Sequence, residues 1–141
     1  MKYSQEQIAK LRQKAENYGL DGINILENFT DAALSDIANG IGAEWMPDWS
    51  RALTNGLHPS LEAAAMIHDA EYHIGGSSEN RKEADERFLA NCFKSAETAY
   101  SWWDIRRYLA KHSGKKFYNL LRCFGSWAWN NIEVLPEETY E

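Results

Sequence analysis

The chain has 141 residues, is 44% hydrophobic and 26% charged, and carries a formal net charge of −6. Those values describe one globular domain, 1–141, long enough to bury a core and too apolar for a disordered chain. The negative balance argues against a nucleic acid held by bulk electrostatics, and no apolar run approaches the roughly 20 residues needed to span a bilayer.

The first six residues, Met1 to Glu6, lack the basic-then-apolar build of a secretion signal, so the chain is expected to be cytoplasmic at synthesis. Residues 5–18 set Ile8, Leu11, Ala15 and Tyr18 at helical spacing, which predicts an amphipathic helix ended by Gly19. A Gly- and Asn-rich loop is expected from Leu20 to Phe29. Thr30 then caps a short helix carrying Leu34, Ile37 and Ala38, which runs into Asn39-Gly40-Ile41-Gly42. Two glycines at alternate positions allow a sharp turn that exposes successive peptide groups. From Ala43 to Pro59 the pattern is loop-like, and Asn55-Gly56 could close a small hairpin.

Ser60 is expected to cap a helix from Leu61 to about His73, stopped by Gly75-Gly76. Ser77-Ser78-Glu79 opens another, to about Thr98, with Ala84, Asp85, Phe88, Leu89 and Cys92 on one side. Trp102-Trp103 begins a third amphipathic segment with Ile105, Tyr108 and Leu109. Lys111-His112-Ser113-Gly114 is expected to break it, with an aromatic helix following from Phe117 to about Trp129. The polar tail, 131–141, should fray. The fold class is all-α, with one long loop of functional character.

The chemistry gathers at His68-Asp69, in the apolar run Ala64 to Tyr72. On a helix His68 and Tyr72 share a face and Asp69 is turned about 100° away, so two adjacent titratable groups can serve two neighbouring sites. A neutral imidazole can take a proton from water at physiological pH, and water so activated attacks an ester carbonyl without a serine nucleophile. A carboxylate on the other ring nitrogen would hold the tautomer and stabilise the imidazolium. Asp85 is the candidate, because the interval from His68 suffices for a turn and an antiparallel return. Arg81, one helical turn before Asp85, could pair with it instead. Asp69 could supply a carboxylate to calcium, which takes about 6–8 oxygen ligands.

Gly40-Ile41-Gly42, His68-Asp69-Ala70-Glu71-Tyr72 and Ala84-Asp85-Glu86-Arg87-Phe88 together resemble the phospholipase A2 superfamily, whose signature is a Gly-x-Gly calcium loop followed by His-Asp-x-x-Tyr. The likeness covers roughly residues 36–94 and is closest to the disulfide-poor parvovirus, bacterial and phage types, as Gly75-Gly76 with Arg81 also suggests. The resemblance implies two antiparallel helices supporting a calcium loop, a core of about 30–98, and C-terminal aromatic helices of about 101–130. It implies His68, Asp85 and Tyr72 as the catalytic group, with Tyr72 holding the Asp85 carboxylate. Ca2+ would be bound by Asp69 and by the carbonyls of Ala38, Gly40 and Gly42, and the Gly40 amide could add an oxyanion donor. The implied partner is a phospholipid at a membrane interface, reached from a phage particle or after lysis. The alternative is a catalytically inactive phage or prophage component that retains the scaffold.

This sequence departs from the family pattern in places. Alanine and methionine stand where secreted forms place a disulfide beside the histidine, Ala38-Asn39 replaces a tyrosine before the loop, and Ile41 stiffens it. Cys92 and Cys123 are expected as buried free thiols, with one disulfide between them as the alternative. His58, His73 and His112 are expected at the surface, and His73 could pair with Asp69. Trp102, Trp103, Trp127 and Trp129 are expected in the core by their spacing, the alternative being an interfacial surface. Trp45, Met46 and Trp49 would form an exposed lip at a lipid channel. The cluster Arg106, Arg107, Lys111, Lys115 and Lys116 is read as a solvated helix face, with contact to anionic lipid as the alternative.

Overall fold

A computed structural model describes residues 3–38, 58–127 and 129. Among these, six α-helices and two 3-10 turns form an all-α architecture, and no helix is long and apolar enough to cross a membrane. Gly40-Ile41-Gly42, Trp45, Met46, Trp49, Asn55-Gly56 and the tail 131–141 lie outside the described residues.

Helix α1 (Gln5–Tyr18) begins with a capping box between Ser4 and Gln7 and ends at Gly19 in the left-handed conformation. The stretch expected as a loop contains a one-turn helix, α2 (Ile23–Leu26), which buries Leu26. Helix α3 (Asp31–Ala38) follows, with the Thr30 hydroxyl accepting from the Ala33 amide at 3.1 Å. Arg12 reaches from α1 to Asp31 at 2.6 Å and to the carbonyls of Leu26 and Phe29, tying the three elements together.

A 3-10 turn (Pro59–Leu61) leads into α4 (Glu62–Ile74), so Ser60 is not the helix cap. Ser60 is buried, the N-cap of α4 is Leu61 without a side-chain bond, and His58 caps the 3-10 turn, its Nδ1 accepting from the Ser60 amide at 3.3 Å. That role leaves His58 half-buried and edge-on to Tyr100, rather than at the surface. Helix α5 (Ser78–Ala99) starts at a capping box between Ser77 and Asn80. Gly75 and Gly76 between α4 and α5 both have positive φ, which lets three residues reverse the chain.

The largest correction is α6 (Ile105–Phe124), capped by Asp104 and continuous through the predicted break at Gly114. Gly114 is buried, and a Cβ there would lie 2.7 Å from the Cβ of Cys92. The glycine is therefore a contact point for α5, not a terminator. With that contact made, the buried side of α6 runs through Ala110, Gly114, Phe117 and Leu121, while Ile105, Tyr108 and Leu109 face outward. Trp102 and Trp103 are 72% and 71% exposed, against the expectation of core burial.

Pairs such as His68 with Phe88, Tyr72 with Asp85, Phe88 with Phe117 and Glu97 with Arg107 show α4, α5 and α6 running as successive antiparallel neighbours. Helices α1, α2 and α3 pack against α4, and α1 also touches α5. The core between them holds Ile8, Leu11, Leu26, Leu34, Leu61, Met66, Ile67 and Phe88. Both cysteines are free, Cys92 buried as expected and Cys123 exposed.

Because the obstructing atom is a Cβ rather than the tip of a flexible side chain, Gly114→Val should push α5 and α6 apart. A loss of about 1–3 kcal/mol in urea unfolding is expected, despite the better helix propensity of valine.

Candidate functional site

Residue 85 lies on the face of α5 that meets both α4 and α6, and its side chain is wholly buried. A carboxylate there needs partners, since an uncompensated buried charge costs several kcal/mol. Four groups surround it. His68 Nε2 is 2.8 Å from Oδ1, and the Tyr72 hydroxyl donates to the same oxygen at 2.6 Å. Arg122 Nη1 donates to Oδ2 at 2.6 Å, from the far end of α6. Arg81 Nη1 stands 3.8 Å from Oδ2 and gives its hydrogen bond to the carbonyl of Leu121 at 3.0 Å.

The structure thus brings together His68, Tyr72 and Asp85, and Arg81 accompanies the carboxylate without displacing His68 from it. The helical spacing of His68 and Tyr72 puts both rings on one face, with centroids 4.2 Å apart, and Phe88 packs against the imidazole at 5.0 Å. Burial alone would raise the Asp85 carboxyl, but the hydrogen bonds from His68, Tyr72 and Arg122 bring it below the ordinary value. An ionised Asp85 can only accept, so Nε2 carries the proton and the neutral ring keeps its lone pair on Nδ1. Burial, and then the bond to Asp85, raise the Tyr72 hydroxyl, which therefore remains a donor.

Nδ1 points toward the other carboxylate, 4.0 Å from Asp69 Oδ1. At that distance the two are neighbours rather than hydrogen-bonded partners. Asp69 has a side chain 48% exposed, yet burial is the main cause lifting its carboxyl to about 6, against the pull of His68. A cation beside Asp69 would offset that desolvation.

Ala38 is the last residue of α3, where helix carbonyls lack intrahelical partners and carry partial negative charge, so its oxygen is a suitable donor to a cation. The other expected carbonyls, of Gly40 and Gly42, lie outside the described residues. Among the described residues no group of three or more His, Cys, Asp or Glu could hold a metal. A cation here would rest on Asp69 and backbone oxygens. The donor types fit calcium, a hard ion that accepts carbonyl ligands.

Two groups near the site were not singled out in the sequence. Arg122 sits 37 residues from Asp85, with no spacing rule to connect them. Its basic character in the last turn of an aromatic helix was the only available sign. Glu71 is buried beside Tyr72 and pairs with Arg87, which also reaches Asp21 at 3.0 Å and so fastens the Gly19–Gly22 turn to α4 and α5. Trp129 closes the region, its ring edge-on to Tyr72 and its Nε1 donating to the Gly76 carbonyl at 2.9 Å. His73 is edge-on to Phe29.

No protein-family model matches this chain, and comparison with the curated proteins and with the solved structures returns no match.

A carboxylate whose folded pKa is depressed contributes stability above its unfolded value, near 3.9, and loses it as pH falls through the folded value. Acid unfolding should therefore steepen below about pH 4. Replacing Arg122 by Ala removes one cause of the depression, so the acid-linked loss should be smaller and complete at a higher pH, with neutral-pH stability reduced by about 3 kcal/mol. Urea denaturation across pH checks both.

Proposed function

We propose that the chain is a calcium-dependent hydrolase of the phospholipase A2 type, built on that family's helical scaffold, which cleaves a phospholipid acyl ester with water activated at His68. One observation carries the reading: His68 Nε2 is committed to the buried Asp85, which leaves Nδ1 as the base on the Asp69 side of the ring. The Gly-x-Gly and His-Asp-x-x-Tyr elements of the sequence support it.

Nδ1 takes a proton from water as the water oxygen attacks the ester carbonyl. The imidazolium that forms is balanced by Asp85 through Nε2. Collapse of the tetrahedral intermediate breaks the acyl–oxygen bond, and Nδ1 returns its proton to the departing alkoxide, giving a fatty acid and a lysophospholipid. Tyr72 and Arg122 hold Asp85 in place during these transfers, and Phe88 and Tyr72 keep the ring from turning. Asp69, Ala38, Gly40 and Gly42 would hold the calcium ion, which when bound supplies Lewis-acid polarisation of the ester carbonyl.

His68→Gln keeps a polar side chain of similar reach but no base. It should lower fatty-acid release from mixed phospholipid micelles by about 100-fold or more, leaving the fold intact by circular dichroism. Full activity in that variant would sink the mechanism, whereas no hydrolysis by the wild type at millimolar calcium would leave the inactive scaffold as the reading.

A proton and a calcium ion compete for the Asp69 carboxylate, which is raised to about 6. Calcium affinity, read by titration calorimetry, should therefore weaken as pH falls through about 6, and Asp69→Asn should abolish it at any pH. Calcium uptake unchanged by that substitution would remove Asp69 from the site.

A further inference from the structure

The turn before α6 and the outward face of that helix present a large apolar surface. Trp102, Trp103, Ile105, Tyr108 and Leu109 are all more than half exposed. They are not loose. The Asp104 amide bonds the Ser101 carbonyl at 3.0 Å, Asp104 caps the helix, and the Tyr108 hydroxyl donates to the Trp102 carbonyl at 2.7 Å. The two indoles are thus carried on an ordered turn that projects them into solvent. A single exposed leucine needs no explanation, but a contiguous patch of this kind marks a contact surface.

Charge decides what kind of surface. Helix α6 carries six Lys or Arg residues and no carboxylate, in a chain whose net charge is −6. Arg107 and Lys111 bend toward Glu97, and Arg106 pairs with Asp104, which leaves the cationic excess at Lys116 and at Lys115, exposed on the flank above the Phe93 ring. An isologous contact between two copies would bring these cations face to face. A single-stranded nucleic acid could stack on the indoles, but it offers no apolar depth for Ile105 and Leu109. A bilayer with anionic headgroups satisfies both halves of the surface, since indole and phenol rings settle at the headgroup boundary and lysines pair with lipid phosphates.

We propose that the Trp102-Trp103 turn and the outward face of α6 dock on the surface of an anionic lipid bilayer, with the helix lying in the interface plane. This surface is separate from the His68 site, toward which α6 turns its opposite face through Arg122. The proposal does not depend on hydrolysis.

Flotation of the full chain with vesicles of ether-linked phosphatidylcholine, with and without ether-linked phosphatidylglycerol, tests it, because these lipids have no acyl ester to cleave. The chain should float with the anionic vesicles and not with the neutral ones, and raised salt should weaken the association. Trp102→Ala/Trp103→Ala and Lys115→Glu/Lys116→Glu, at exposed positions that the fold does not need, should each weaken partitioning by about tenfold or more. His68→Gln should float like the wild type, so a failure of the hydrolase reading leaves this result standing. Three outcomes would overturn the proposal. They are no flotation with anionic vesicles, flotation indifferent to both double variants, and capture of single-stranded DNA or self-association in light scattering that the tryptophan variant abolishes.

Discussion

The side chain of Asp85 is the constraint on which the rest of the structure depends. A carboxylate with no solvent contact must find its compensation within the protein, and here it does so from two helices other than its own. His68 and Tyr72 come from α4, Arg122 from α6, and Arg81 from the turn of α5 before it. Satisfying one residue therefore sets the register of three helices. It also orients the imidazole, because the accepting oxygen determines which ring nitrogen holds the proton.

The continuity of α6 is a consequence of the same demand. The helix must cross Cys92 closely enough for Arg122 to reach the carboxylate near the other end of α5. Gly114 permits that approach, since a side chain there would meet the Cβ of Cys92. Once this side of α6 is committed to α5, its apolar positions near the start have no core left to enter. The exposed tryptophans and the buried arginine contact are two ends of one packing decision. Helices α4 and α5 supply the base and its partner, whereas α6 supplies a clamp on one side and an apolar, basic surface on the other.

The His68, Tyr72 and Asp85 part of the candidate site was legible before the fold. Four-residue spacing puts Tyr72 beside His68, and a short turn at Gly75-Gly76 returns α5 so that Asp85 meets both. Local rules sufficed because each contact spans one helical turn or one hairpin. Caps were legible for the same reason, as at Thr30 and Ser77. Ser60 was misread because a 3-10 turn at Pro59, capped by His58, precedes the helix and takes Ser60 into itself. Asp69 is a different case: its place after His68 was plain, but the raised carboxyl follows from how much protein surrounds it.

The sequence by itself determined an all-α chain, most helix limits, and the juxtaposition of His68, Tyr72 and Asp85. These follow from hydrogen-bonding and periodicity rules that act within a turn or a hairpin. Only the tertiary structure decided that Gly114 lies inside a helix, that Ile105, Tyr108 and Leu109 face solvent, and that Arg122 closes on Asp85. Periodicity identifies that a helix has two faces, but the neighbour it packs against chooses between them. For α6 that choice came from a glycine fitting against a cysteine and from a buried charge that needed a cation.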